Sequence, residues 1–379
     1  MLLGDMGADV IKIERPQKGD DTRSWGPPFW NETSAAFLAF NRHKKSVVLD
    51  IKHPDGQRVL TDLVKHADIL VHNLRVGTLE RLGFGYEDVR AQNDSIIYCS
   101  MSAYGSSGPM SEDPGYDVLM QAFSGLMSIT GEQGQPPVRV GTSVIDMGMG
   151  MWGAIGIMGA VMRRRETGDA QLVETSLFET ALSWMPYQIM GYLGTDEIPK
   201  RYGSGLPMLA PYQAYPTGDG MIVIAVGNDS LWTKLCQVMG MVEFVNDERF
   251  SDNPKRVLHR EQLSEILSAQ LKAKKTSDWV KLLTSANVPC SAIQSIDQVV
   301  THPQTQQLGI LREVAHPDIP GYTDVGMPIR WGGHRPETRR VPPRLGADSR
   351  EVLRMIGRTD EEIEKLLTSH VTEEPPRAE

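Results

Sequence analysis

Cysteine is scarce in this chain: Cys99, Cys236 and Cys290 are odd in number and far apart among 379 residues. That excludes a disulfide framework and any CxxC-type metal site, and it points to a reducing, cytoplasmic compartment. Surplus positive charge is lacking as well. With a net charge of -9 and a pI near 5.6, there is no concentrated basic surface, and no nucleic-acid partner is expected. Basic residues that serve a phosphorylated cofactor can still line a local pocket. The histidines form no HxxxH or HxH pair with a nearby acid, so no metal site is expected. No GxSxG turn follows a strand, no GxGxxG follows the first strand, and GxxxxGK[ST] is absent. A Ser–His–Asp hydrolase, a dinucleotide site and a P-loop therefore all lack their motifs. No charged segment leading into an apolar one opens the chain, so no signal peptide is expected.

What is present is one long apolar stretch. In residues 143–162 (SVIDMGMGMWGAIGIMGAVM) Asp146 is the only charged side chain, and Arg163, Arg164 and Arg165 close the run. A lone carboxylate at the head of an apolar helix is costly to bury unless something pairs with it or uses it. Two readings stay open at this point: an N-terminal cap, where aspartate is favoured, or a group that does chemistry. A run of about 20 apolar residues can also cross a bilayer. Gly150, Gly153, Gly156 and Gly159 suit close helix packing in lipid, but they suit a soluble core equally well. With one such run and a mean hydropathy of -0.29, no membrane association is expected.

The length allows two or three domains with a sizeable core. Residues 9–14 (DVIKIE), 46–51 (SVVLDI), 68–72 (DILVH) and 95–101 (SIIYCSM) read as strands. Residues 54–66 carry apolar side chains at helical spacing, and 86–92 form a second short helix. This alternation implies βαβ units and a parallel sheet, a Rossmann-like α/β domain. Residues 1–7 read as the last turn of a helix closed by glycine, so the chain opens in mid-domain. Turn residues crowd 190–211. A smaller α+β domain follows, with a strand at 221–226 and helices at 229–239, 260–273 and 276–286. After Thr301 the composition turns Pro- and Gly-rich, and a last helix at 349–367 is expected to pack back on the first domain. Residues 372–379 read as a disordered tail. The predicted division is thus a large domain at 1–190, a linker and glycine loop at 191–211, a small domain at 212–300 and a return segment at 301–379.

Several segments in fixed order carry a resemblance: GADVIKIERP, GDDTRSWGPPF, NRHKKSVVLDIKHPDG, ADILVHNLRVGTLERLGFGYEDV, YCSMSAYGSSGP, GYDVLMQAFSGLMSITG, DMGMGMWGAIGIMGAVMRRRETG and, near the end, PPRLGADSREVL. Together they resemble the class III CoA-transferases, the family of the carnitine and formyl CoA-transferases. The resemblance implies an α/β fold in an interlocked homodimer, with acyl-CoA and a free carboxylic acid as substrates and no metal. It places the family's nucleophilic aspartate at Asp146, supported by matches at Gly150, Arg164, Arg165, Thr167 and Gly168. Cap and nucleophile can coexist, since a helix dipole keeps a carboxylate ionised. Asp146 would attack the thioester carbonyl to give a mixed anhydride and CoA thiolate. The thiolate would return to leave CoA on the aspartate and free the donor acid, and a second carboxylate would run the steps backwards.

The family's glycine-rich loop falls at Gly203, Ser204 and Gly205, which otherwise read as a linker turn. Its CoA contacts fall on Arg15, Leu49, Lys52, Asn73, Leu74 and Arg81. Leu74 stands where the family usually has Phe, and Lys52 and Arg81 otherwise read as solvated charges. Tyr116 is implied to lie near the active site, with core packing as the alternative. Asp117 either orients a hydrogen-bond network or caps the helix that follows it. The family normally begins further upstream, with a first strand and a QxxAGP-like loop that this sequence does not contain. Neighbouring strands are then expected to keep unpaired backbone groups. The 2-methylacyl-CoA racemase branch of the same superfamily reads GHD where this chain has Gly115, Tyr116 and Asp117. Tyrosine is a poor base near neutral pH, which favours the transferase. A catalytically inactive CoA-binding subunit is the third reading. GDDTRSWGPPF and LPMLAPYQAY look most like the branch that acts on dicarboxylic acids such as succinate and glutarate, so a succinyl-CoA-type donor is expected.

Overall fold

The computed structural model describes residues 1–375. Two compact units emerge: Met1–Asp117, Val144–Thr180 and Val300–Glu379 in the first, Val118–Ser143 and Ala181–Val299 in the second. The sequence reading keeps 1–190 together, whereas the chain leaves the first unit twice. Residues 118–143 go with the second unit because their turn is tied to the 201–203 segment. Gly203 N–H donates to Gly131 O at 2.9 Å, and the Arg201 guanidinium donates to Glu132 O and Gln135 O.

In the first unit, β1 (Val10–Glu14) and β2 (Lys44–Val48) run parallel, with Val10 beside Lys44 and Glu14 beside Val48. A second parallel ladder orders β3 (Ile69–His72), β4 (Ile97–Ser102) and β5 (Gln171–Ser176). Among the described residues no strand hydrogen-bonds to both ladders, so the one sheet predicted from the alternation stands as two. The first helices are α1 (Leu2–Asp5), α2 (Pro54–His66), α3 (Tyr86–Gln92) and α4 (Val144–Thr167). α2 starts where proline fits best, at its first position. Successive strand residues point to opposite faces. Tyr98 accordingly packs with Val64, Phe84 and Val89 on one side, while Ile97 and Cys99 meet Ile157 and Ala160 of α4 on the other.

Two glycines of α4 lie close against the strands. A Cβ added at Gly153 would sit 2.0 Å from Met101 Cε, and one at Gly156 would sit 2.7 Å from Val173 Cγ1. By length and composition α4 could cross a membrane, yet this face is buried on β4 and β5. Its other face exposes Met147, Met151, Trp152, Ile155, Met158 and Met162.

The second unit holds an antiparallel sheet in which β7 (Met221–Ala225) lies between β6 (Tyr212–Pro216) and β8 (Cys290–Ala292). α5 (Asp229–Met239), α6 (Arg260–Leu271) and α7 (Thr276–Ser285) cover it, burying Trp232, Leu267, Trp279 and Leu283 with Phe250. The linker predicted from 191 is partly helical, since a helix at Pro186–Thr195 runs through Gly191 and Gly194.

The return segment ends in two helices, α8 (Ser349–Met355) and α9 (Asp360–Thr368), not the single one predicted. Gly357, at φ 87°, turns the chain, and Thr359 with Glu362 forms a capping box that restarts it. Both helices do pack back. Val352, Leu353, Ile363 and Leu366 bury against Val47, Leu49, Val59 and Leu63. Ser46 N–H donates to the Asp348 carboxylate at 2.8 Å, Val48 N–H to Ser349 Oγ at 3.1 Å, and Thr372 Oγ1 to Val48 O at 2.6 Å. Arg42, itself buried, clamps Asp5 through two 2.7 Å bonds and Asp324 through one of 3.0 Å. The expected tail is ordered at its start, because Glu373 accepts from Gln17 N–H and Glu374 pairs with Arg350. Its last residues, 376–379, lie outside the described residues.

Leu49, 2% exposed, sits at the centre of this core. Leu49→Ala is expected to lose about 3 kcal/mol of stability, read as an earlier midpoint in urea unfolding.

Candidate active site

Asp146 is the third residue of α4. Its position does not come from capping its own helix. That task falls to Asp117, a buried carboxylate whose Oδ1 accepts from Ile145 N–H at 2.8 Å and from Asp146 N–H at 3.2 Å. Asp117 was expected to cap the helix that follows it or to orient a network. Its Oδ1 serves a helix start almost thirty residues later, neutralising two of the open amides there and so ordering a hydrogen-bond network.

The dipole was expected to hold Asp146 firmly ionised, yet its pKa moves the other way. Burial first, and then the negative charge of Asp117, push its carboxyl up to about 6. The side chain stays accessible to solvent, which screens part of that push. The result is a reachable carboxylate, more basic than an ordinary aspartate and still largely ionised at neutral pH, suited to attack on a carbonyl carbon. Tyr116, next to Asp117, is 63% exposed, which removes the core-packing alternative for it.

Five of the six candidate CoA-contact residues follow the carboxyl ends of parallel strands, the edge at which open α/β sheets bind ligands. Arg15 follows β1 directly, Leu49 and Lys52 follow β2, and Asn73 with Leu74 follows β3. Arg15 is exposed and paired with Asp21. Lys52 is exposed, and its N–H donates to the Asp50 carboxylate at 3.0 Å. Arg81 ends a short helix at Thr78–Arg81 and donates to Thr78 Oγ1 at 3.2 Å. Leu74 presents an apolar surface to solvent, whereas the Leu49 side chain is turned into the core, leaving only its backbone near this edge. Arg75 escaped the sequence reading: it is exposed beside Leu74, and no motif or spacing singled it out.

Gly203, Ser204 and Gly205 belong to the second unit. Gly203 has φ 58°, and a Cβ there would fall 2.2 Å from Glu132 Oε1, so the position favours glycine. Glu132, also missed from the sequence, thus lies against this loop. Ser204 Oγ accepts from Ala214 N–H at 3.0 Å, and Gly205 N–H donates to Tyr202 O at 2.7 Å. Among the described residues no three His, Cys, Asp or Glu side chains are grouped to hold a metal ion.

The model of CoA-transferase family III matches residues 1–349. A succinyl-CoA:glutarate CoA-transferase of Mus musculus is 38% identical over 375 residues, covering 99% of this chain and 86% of that protein. A succinate–glutarate CoA-transferase of Agrobacterium fabrum is 36% identical over 381 residues, covering 97% and 92%. The crystal structure of a CAIB/BAIF family protein from Brucella suis superposes with a TM-score of 0.83 at 34% identity, over 93% of each chain.

The raised pKa of Asp146 gives a stability signature with a defined sign. Its folded value of about 6 exceeds the ordinary aspartate value of 3.8, so the fold favours the protonated form. That gain is complete below the unfolded value and lost as pH rises through about 6. Asp146→Asn is therefore expected to melt higher than the wild type at pH of about 8, with the gap closing toward pH of about 4. Thermal unfolding followed by circular dichroism checks it, and a gap that does not vary with pH would contradict the raised pKa.

Proposed function

The chain belongs to CoA-transferase family III, and from that premise we propose that it moves CoA from a succinyl-CoA-type donor to a dicarboxylic acid such as glutarate, through a thioester on Asp146. CoA transfer between an acyl-CoA and an acid follows from the family. The observation that carries the finer reading is Asp146 itself: solvent-accessible, raised to about 6, and set at the head of a helix that Asp117 caps.

The Asp146 carboxylate attacks the thioester carbonyl, and the carbon–sulfur bond breaks to give a mixed anhydride and CoA thiolate. The thiolate then attacks the aspartyl carbonyl, forming the aspartyl–CoA thioester and releasing succinate. The acceptor carboxylate attacks that thioester, and the same two steps in reverse return free Asp146 and the new acyl-CoA. Each bond made resembles the one broken, so the steps balance without ATP. Raised basicity serves this cycle, because the carboxylate is both a better nucleophile and still ionised at working pH. Arg15, Lys52 and Arg81, joined by Arg75, supply positive charge for the CoA phosphates, Asn73 and Leu74 line the same edge, and Leu49 takes part only through its backbone. Tyr116, exposed beside Asp117, is open to contact with substrate. Gly203, Ser204 and Gly205 serve the reaction by keeping water from the acyl intermediates.

The working molecule is a homodimer, interlocked as in the resembling family, in the reducing cytoplasm. Support comes from the six large apolar side chains on the exposed face of α4, from Met147 to Met162. A contiguous apolar patch of that kind is rarely left open to water, and a second copy is its natural cover.

Intact-protein mass spectrometry after incubation with succinyl-CoA tests the mechanism. A CoA-sized adduct is expected on the wild type, removed by hydroxylamine and missing from Asp146→Ala; an adduct that survives in Asp146→Ala would exclude the aspartyl thioester. Loss of an α-deuteron from a 2-methylacyl-CoA without any adduct would favour the racemase branch instead. For assembly, light scattering is expected to give a dimer for the wild type and a monomer for Ile155→Glu combined with Met158→Glu. A monomeric wild type would end the dimer reading.

A further inference from the structure

We infer that Arg260 is the positioning residue that holds the glycine loop in its working conformation. This rests on the proposed part of Gly203, Ser204 and Gly205 in the transfer.

Arg260 is the first residue of α6. A cation there faces the positive end of the helix dipole, where lysine and arginine are disfavoured. It is also only partly exposed, and burial lowers its pKa, with Tyr202 and Tyr215 opposing. No carboxylate pairs with it among the described residues. A half-buried, unpaired guanidinium at a helix start is unfavourable on each count, so its placement needs a compensating contact.

That contact is the loop. Arg260 Nη2 donates to three backbone carbonyls in succession, Leu206 O at 2.9 Å, Pro207 O at 2.7 Å and Leu209 O at 3.1 Å. Its guanidinium carbon stands 5.2 Å from the centre of the Tyr202 ring, a cation–π contact that reaches the other side of the glycines. Nη1 is buried without an acceptor and lies 3.4 Å from where a Cβ at Gly205 would be. One side chain thus touches residues 202, 206, 207 and 209 and brackets Gly203, Ser204 and Gly205. Arg256, one turn earlier in the chain, shows the contrast. It is fully buried, bonds to Ala210 O and Phe250 O, and has Asp229 as its counter-charge, a self-contained core arrangement.

Glycines supply no side-chain packing of their own, so a loop that contains two of them keeps one shape only if its neighbours impose it. The planar fork of arginine suits this task, because several donors are fixed in one plane; lysine keeps the charge and loses the fork. A loosened loop admits water to the aspartyl thioester. Water then adds to the thioester carbonyl, the carbon–sulfur bond breaks, and CoA thiol leaves with Asp146 restored as carboxylate. Hydrolysis grows at the expense of transfer.

The experiment uses the full chain, with Arg260→Lys and Tyr202→Leu as separate variants, succinyl-CoA as donor and glutarate as acceptor. Hydrogen exchange of peptides covering residues 202–209 is expected to accelerate on the order of tenfold in Arg260→Lys, and less in Tyr202→Leu, while peptides from α5 exchange as in the wild type. The ratio of hydrolysis to transfer is expected to rise on the order of tenfold, with KM for succinyl-CoA changed less than about threefold. A defect that merely unfolds part of the chain lowers both activities together and leaves their ratio alone. Unchanged exchange in both variants overturns the inference, and so does faster exchange with an unchanged ratio. Transfer that persists in Asp146→Ala overturns the aspartyl reading instead, and the exchange result on the loop stands apart from it.

Discussion

Gly153 and Gly156 let α4 lie close to β4 and β5. At Gly153 a methyl group would land inside Met101, and at Gly156 it would press on Val173. Helix and strands therefore meet backbone to side chain, with little slack for sliding or rolling. The head of the helix is then set by Asp117, which takes the amides of Ile145 and Asp146. Asp146 is left with no structural duty at its own helix start. Its carboxylate faces solvent on a rigid mount, and the same carboxylate that builds the mount raises its basicity. Burial is the larger cause of that rise, so Asp117 links placement to basicity without accounting for all of it.

Much of this was legible in the sequence because local signals and tertiary fate agree. Pro54–His66 carries its apolar residues at helical spacing and a proline at its first position, and it forms the helix expected. Asp146 was conspicuous for being alone in an apolar run. Asp117 was visible as a residue, but its true partner was not, since no periodicity connects positions almost thirty residues apart. Glu132 and Arg260 sit in polar stretches where a charge is unremarkable, and their significance comes only from what the fold brings against them.

The misreadings have equally specific causes. Val352, Ile356, Ile363 and Leu366 keep a helical rhythm across Gly357, so the break between α8 and α9 was hidden by a pattern that both helices share. Gly191 and Gly194 suggested a linker, but proline at the first position and the apolar residues between them sustain a helix to Thr195. The domain boundary moved because the turn at 131–135 is bonded to residues some seventy positions later, and composition carries no trace of that.

The stitching of β2 to the return segment has a consequence for the order in which the chain takes shape as it is made. Val48 is bonded on one side to Ser349 and on the other to Thr372, and Ser46 to Asp348. Those partners leave the ribosome some three hundred residues after the strand they complete. Residues 181–299 of the second unit, by contrast, are contiguous and carry nearly all of its core. The part of the protein synthesised first is therefore the last to be finished, and the inserted unit can be complete while its host still waits for its closing strap.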